Sequence, residues 1–219
     1  MLIFLMTRGA LFQICSLDKE MKGCEEILSG KGAAVFGALC CINGVMAYIL
    51  AAQKANAFFQ GPADGCYAGL VRYLLFCVTA ACFLLACIED CWICQVHNFV
   101  WWAGAGAGAG LLFSAGENRG NVFDLLLFIL LQELFFCRFY GRADCHSFCV
   151  CAMVQCALGA GFTAYLFLML LAVGMLGLVQ AFRHNINKKG NLKIPVPFLP
   201  YITISLWPTL FFVYLFKHS

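Results

Sequence analysis

The stretch SFCVCAMVQCALGAGFTAYLFLMLLAVGMLGLVQAF, residues 147–182, contains 36 residues without a single charge. As one α-helix it would measure about 54 Å, whereas the hydrocarbon core of a bilayer is about 30 Å thick. The chain must therefore turn within the stretch, and Gly159-Ala160-Gly161 is the natural place because glycine adopts turn conformations readily. The stretch predicts two helices, over 145–158 and 162–182.

The composition of the whole chain agrees with this reading. It has 219 residues, of which 63% are hydrophobic, and a mean hydropathy of +0.87, whereas soluble domains have about 45–50% apolar residues. We therefore expect an integral membrane protein with the lipid bilayer as a partner. The net charge of +3 is too small to indicate nucleic-acid binding. Most of the fifteen cysteines lie in apolar runs, where a free thiol behaves as a small hydrophobe.

Five further segments are long and apolar enough to be spans of about 20 residues. They are residues 33–52, 67–88, 98–115, 121–137 and 198–216. The predicted fold class is all-α, a polytopic membrane helix bundle with about six to seven transmembrane helices. The N-terminal 15 residues lack the basic region of a signal peptide, so we expect an interfacial segment. It forms a region 1–66 with the first span, and residues 67–216 form a six-helix domain.

The alternating AGAGAGAG at 103–110 is interpreted as a packing feature of the third span. Gly104 and Gly108 lie four residues apart, as do Gly106 and Gly110. Glycines at this spacing leave a helix face of nearly bare backbone, which allows close helix packing in membranes. A phosphate-binding loop is not indicated, because no strand precedes the stretch.

The distribution of Lys and Arg predicts the orientation, since cytoplasmic loops are enriched in them. An inside N-terminus places ten of the fourteen on the cytoplasmic side: Arg8, Lys19, Lys22, Lys31, Arg138, Arg142, Arg183, Lys188, Lys189 and Lys193. The outer side then holds Lys54, Arg72, Arg119 and Lys217. We expect a multi-pass protein whose functional face is cytoplasmic.

This orientation brings two aspartates to the cytoplasmic face, Asp90 after the span 67–88 and Asp144 before the span 145–158. Ionisable residues at membrane depth are commonly functional. Two carboxylates that lie close together share a proton, because both cannot ionise easily. The ionised one can activate water and the protonated one can polarise a peptide carbonyl. The alternative is that both are helix-end carboxylates that offset the helix dipole.

Three local sequences resemble the prepilin leader peptidase family, whose members are GxGD-type membrane aspartic peptidases. GRAD at 141–144 resembles the GxGD motif, and CIEDCWICQVHN at 87–98 resembles the segment around the family's first aspartate. KIPVPFLPY at 193–201 resembles the Pro-Phe-x-Pro start of the family's last helix. The resemblance covers residues 67–216 and is to the short form without the methyltransferase domain.

The resemblance implies an endopeptidase that removes the leader of pilin-like precursor proteins at the cytoplasmic face of the inner membrane, without a cofactor. It implies catalytic roles for Asp90 and Asp144. The substrate-binding or supporting residues would be Gly141, Ala143, His146, Asn98, Glu133, Pro197 and Pro200. Glu133 is included on its own position and not on the resemblance: it is expected to be a buried carboxylate near the cytoplasmic end of the span 121–137, facing the bundle interior or the site as a polar anchor.

The chain departs from the family pattern at three positions. Ala143 replaces the second glycine of GxGD, and His146 stands where a basic residue is expected two places after the aspartate. His97 replaces the proline of an Ile-Pro-Asn triplet.

Cysteines and histidines near both aspartates present a rival site. Cys91, Cys94 and His97 have the spacing C-x2-C-x2-H, and Cys145, His146 and Cys149 lie on the same predicted face. Four sulfur or nitrogen ligands suffice for zinc. A lone CxxC in a chain with fifteen cysteines is a weak signal, so we predict no metal site.

Two functions of other classes remain open on the sequence alone. Intramembrane acids also mark proton-coupled transporters, although such proteins usually show internal repeats with broken helices at the midplane. A catalytically inactive assembly subunit of a pilus or secretion system is the other alternative.

Overall fold

The structure, a computed structural model, describes residues 2–17, 65–116, 119–186 and 196–218. Within these residues the chain forms seven α-helices and a 3-10 turn, and no strand. In chain order the helices are α1 Leu2–Leu17, α2 Gly65–Ile93, α3 Asn98–Ala115, α4 Val122–Leu134, α5 Arg142–Ala157, α6 Phe162–Ile186 and α7 Leu199–His218, with the 3-10 turn Phe136–Arg138 between α4 and α5. The predicted all-α class is confirmed.

The uncharged stretch 147–182 turns where the sequence predicts. Helix α5 ends at Ala157 and α6 begins at Phe162. Gly159 lies between them with φ of 88°, in the left-handed region that favours glycine. The turn is closed by the amide of Ala160, which donates to the carbonyl of Gln155 at 2.9 Å.

Two helical segments within the described residues are long and apolar enough to cross a membrane, Gly69–Ile93 in α2 and Phe162–Phe182 in α6. Helix α3 has the predicted bounds, but α5 has only 16 residues and measures about 24 Å. The total of six to seven transmembrane helices therefore remains a prediction. The predicted span 33–52 and the lysines of the loop before α7 lie outside the described residues.

The N-terminal segment, predicted to be interfacial, forms α1 and packs along α2. Ile3 shares a buried cluster with Cys77 and Leu84 of α2, and Leu11 reaches the main core. Helix α2 begins at Gly65, close to the predicted boundary between the regions 1–66 and 67–216.

Helix α5 is the centre of the bundle, because it packs against α3, α4, α6 and α7. Its residues are buried almost without interruption from Cys145 to Ala157, so this helix has no need of a polar face. Its charged and titratable side chains other than cysteine are confined to the first two turns: Arg142, Asp144 and His146.

Three of the four glycines of α3 allow the close packing that their spacing predicts: Gly104 and Gly108, and also Gly110, where a Cβ would lie 3.0 Å from Leu75 of α2. A Cβ at Gly104 would lie 3.6 Å from Cys82 of α2 and 3.7 Å from Val150 of α5. A Cβ at Gly108 would lie 3.2 Å from both the Cβ and the Sδ of Met153 in α5. Gly106 has no atom within 4 Å of such a Cβ and is exposed.

We expect Gly108→Leu to lower the free energy of unfolding by about 1–3 kcal/mol, because the added side chain overpacks the α3–α5 contact. Gly106→Leu is the matched control on the same helix. It should be neutral or stabilising by up to about 1 kcal/mol, since leucine forms helix better than glycine. Denaturant unfolding of the two variants in detergent measures this difference, and equal destabilisation would show that the packing face is wrongly assigned.

Candidate functional site

Asp144 lies in the first turn of α5, ahead of the predicted apolar span 145–158. Its Oδ2 accepts a hydrogen bond from the amide of Gly141 at 3.1 Å, so the carboxylate caps its own helix. A Cβ at Gly141 would lie only 3.2 Å from that oxygen. A larger residue at this position would therefore crowd the Asp144 carboxylate, which explains why the first residue of GRAD is glycine. Ala143 is inside the helix, and among the described non-glycine residues only Cys94 has a positive φ. The aspartate is thus presented from a regular helix start.

Asp90 lies in the last turn of α2 and is partly exposed. Its Oδ2 accepts a hydrogen bond from the amide of Leu199, the first residue of α7, at 3.0 Å. Pro200 follows in the first turn of α7, where the amide that proline lacks has no intrahelical partner. The segment that contains Pro197 therefore leads into α7 so that the N-terminus of this helix lies at Asp90. This is the structural role of the PFLP sequence at residues 197–200.

Aromatic rings connect the segments that carry the two aspartates. The Phe198 ring lies 5.7 Å from the Tyr140 ring and 5.9 Å from the Phe148 ring, measured between centroids. Tyr140 precedes Asp144 by four residues and Phe148 follows it by four. Phe198, next to the amide that binds Asp90, therefore packs against one ring before Asp144 and one ring after it in the sequence.

The carboxyl of Asp144 lies within range of the charge of Asp90. Burial, and to a smaller extent the negative charge of Asp90, raise the pKa of Asp144 from 3.8 to about 6. The hydrogen bond from the Gly141 amide acts in the opposite direction and lowers the pKa. A raised pKa of one carboxyl beside another is typical of a pair that holds a single proton. The sequence placed Asp90 and Asp144 at one membrane level, and the structure brings them within electrostatic range.

The other predicted site residues lie around this pair at different depths. His146 is partly exposed, its ring 6.4 Å from that of Trp101, and its Nε2 lies 3.6 Å from Oε1 of Glu133. Glu133 is not buried as predicted, since its side chain is 48% exposed. The reason is its position in the last turn of the short helix α4, where the neighbouring Gln132 takes the inward position. Asn98 is exposed at the first residue of α3.

Glu89 is a buried acid that the sequence interpretation missed. It has no exposed surface, and its Oε2 accepts a hydrogen bond from the amide of His97 at 2.9 Å. Its Oε1 lies 3.1 Å from the Nδ1 of the same residue. The sequence did contain a signal for this contact: Glu89 directly precedes Asp90, and His97 follows Glu89 by eight residues, on the other side of a turn.

The rival cysteines differ in burial. Cys91 and Cys94 are exposed near the end of α2, whereas Cys145 and Cys149 are buried in α5. In the described part of the chain, no group of three or more His, Cys, Asp or Glu side chains is arranged to hold a metal ion.

No protein family, curated protein or solved structure matches this chain. The geometry of the two aspartates and the residues that hold them are therefore the evidence for function.

The raised pKa of Asp144 predicts how stability depends on pH. The folded-state pKa of about 6 exceeds the ordinary 3.8, so the folded protein binds a proton at Asp144 more tightly than the unfolded chain does. The contribution of Asp144 to the free energy of unfolding is therefore complete below pH 3.8 and is lost as the pH rises through about 6. Asp144→Asn stays neutral throughout. We expect the unfolding temperature of the unmodified protein to fall relative to that of Asp144→Asn over this range and then to run parallel. Thermal unfolding in detergent at a series of pH values measures it, and a difference that is independent of pH would contradict the assignment.

Proposed function

We propose that this chain is a multi-pass membrane aspartic endopeptidase, similar in mechanism to the prepilin leader peptidases, with Asp90 and Asp144 as its catalytic residues. The observation that carries the proposal is the coupling of these two carboxylates, in which burial and the charge of Asp90 raise the pKa of Asp144 to about 6. Such a pair holds one proton at pH values up to about 6, and a singly protonated pair is what general acid–base hydrolysis of a peptide requires.

The contacts of each carboxylate support an assignment of roles. Asp144 holds the shared proton, because its pKa is raised, and donates it in a hydrogen bond to the oxygen of the scissile carbonyl. Asp90 is also partly buried, but the amide of Leu199 offsets part of the cost of its charge, and it takes a proton from water as the water oxygen attacks the carbonyl carbon. The tetrahedral intermediate then collapses as the C–N bond breaks and the leaving nitrogen receives the proton held by Asp90.

The outer surface of the bundle supports a membrane setting and an apolar substrate. Large apolar side chains are exposed on several helices, among them Trp102 at 80% and Phe113 at 82% on α3. A bilayer would cover such surfaces, and a transmembrane helix of a substrate can approach along them. We propose a pilin-like precursor whose basic leader lies in the cytoplasm, with cleavage at the cytoplasmic face of the inner membrane. The positive-inside distribution of Lys and Arg supports this orientation.

We expect Asp90→Asn and Asp144→Asn each to abolish leader removal, because neither carboxylate can be permanently neutral in a pair that shares one proton. Co-expression with pilin-like precursors, followed by mass spectrometry of the precursor N-terminus, measures cleavage. Asp124→Asn is the matched control, since Asp124 accepts the amide of Phe162 at 3.4 Å at the opposite end of α5. Substantial cleavage by either variant would show that Asp90 and Asp144 are not the catalytic pair.

Ala143→Gly tests whether the missing glycine of the family motif matters. Ala143 lies in a regular helix, so a residue that tolerates positive φ is not needed here. The variant should keep its cleavage activity and lose up to about 1 kcal/mol of stability, the usual effect of glycine in a helix. A large gain of cleavage in Ala143→Gly would instead show that the methyl group obstructs the site. If neither form cleaves a precursor that a working peptidase cleaves, the peptidase proposal is wrong.

A further inference from the structure

The end of helix α2 is held by two residues whose side chains leave the helix in different directions. Asp90 reaches the N-terminus of α7, where Leu199 donates to it. Glu89, one residue earlier, accepts from His97, the residue just before α3. Successive residues of an α-helix point about 100° apart, so adjacent acids can serve two neighbouring helices at once.

The chain between α2 and α3 turns sharply over only four residues. The amide of Cys94 donates to the carbonyl of Asp90 at 3.1 Å, and Cys94 takes φ of 53°, a left-handed conformation that is uncommon for a residue other than glycine. The backbone carbonyl of Asp90 is thus part of this turn. A change in the path of residues 94–97 therefore acts directly on the residue that carries the carboxylate.

His97 holds that path through two contacts to one buried carboxylate. Both its amide and its Nδ1 are within hydrogen-bonding distance of the two Glu89 oxygens. A fully buried carboxylate without such partners would be strongly unfavourable, so the pair is constrained to stay together. The backbone of His97 has φ of −66° and ψ of 135°, which is the conformation that proline enforces. A proline here would fit in φ, but it would remove the amide on which Glu89 depends.

We infer that Glu89 is a positioning residue for Asp90, and that its two contacts to His97 fix the turn 94–97 in the way that a proline at position 97 would. This inference rests on the proposed function for its catalytic meaning, whereas its structural content concerns only where Asp90 is held. Glu89 does not reach the reacting atoms. It orients the last turn of α2 so that Asp90 faces both Leu199 and Asp144.

Substitutions at Glu89 and His97 should compensate for each other. Glu89→Leu removes the carboxylate and leaves the turn loosely held, and His97→Pro removes both the amide and the imidazole contacts to Glu89. Each single variant should therefore displace Asp90. The double variant Glu89→Leu/His97→Pro has neither a buried carboxylate nor an amide in need of an acceptor, and proline fixes φ. It should be closer to the unmodified protein than either single variant, which is the opposite of additive damage.

The readout is the infrared C=O band of protonated Asp144, assigned by its absence in Asp144→Asn and titrated with pH in detergent-solubilised protein. In the singles the midpoint should move from about 6 toward the ordinary 3.8, because the charge of Asp90 is no longer held nearby, and in the double variant it should return. Leader removal should fall by about 10²-fold in the singles, as for a small misplacement of a catalytic group, and most of this loss should be recovered in the double variant.

Two further variants keep the outcome decisive. Glu89→Gln preserves size and one acceptor, and should shift the midpoint less than Glu89→Leu; it carries the test if the leucine variant does not fold. Asp124→Asn removes another helix-end carboxylate and should leave the Asp144 midpoint unchanged. Folded Glu89 variants with the midpoint unchanged, or a double variant no better than the singles, would overturn the inference. If the titrations behave as expected while no precursor is cleaved, the positioning role stands and the peptidase proposal fails.

Discussion

The structure depends on holding two carboxylates near each other at one end of a helix bundle, although their charges repel. Helix N-termini offset this repulsion. Helix α5 presents the Gly141 amide to Asp144, and α7 presents the Leu199 amide to Asp90. A helix N-terminus carries a partial positive charge and unpaired amides, so it stabilises an anion. This compensation is incomplete at Asp144, where burial and the second charge still raise the pKa to about 6.

The remaining architecture brings these helix ends to the same place. The nearly bare face of α3 lets it approach α5 closely at Gly104 and Gly108. The Phe198 ring packs against both Tyr140 and Phe148, which also contact each other, and this cluster positions α7 relative to the start of α5. Because each contact involves an element that carries or touches an aspartate, packing in the bundle and the geometry of the pair are linked.

Much of the fold could be predicted from composition and glycine placement. The bounds of α3 and the break between α5 and α6 follow from the lengths of apolar runs and from Gly159, which are local properties. The predicted number of membrane crossings is not confirmed. Helix α5 is too short to be recognised as a span by length, and the segment 33–52 is outside the described residues. Which face of α3 packs is also undecided by the AGAG pattern, since its two glycine pairs are equivalent in sequence.

The sequence predicts which residues form the site better than it predicts how these residues contact one another. Asp90 and Asp144 could be selected from their position at helix ends, but their proximity depends on how α2, α5 and α7 pack, which a single sequence does not contain. Glu133 was misplaced because burial in a helix of 13 residues is decided by its rotation, and Gln132 took the inner position. Glu89 was missed because its partner His97 lies across a turn that no local pattern specifies.

The most direct test of the account is the pH titration of the Asp144 carboxyl band in Asp90→Asn compared with the unmodified protein. The asparagine keeps the size of the side chain and removes only its charge and titration. The account predicts that the midpoint of Asp144 falls from about 6 toward 3.8, by the part of the shift that the Asp90 charge contributes, while burial accounts for the rest. An unchanged midpoint would show that the two aspartates do not form a pair, and it would contradict the central claim.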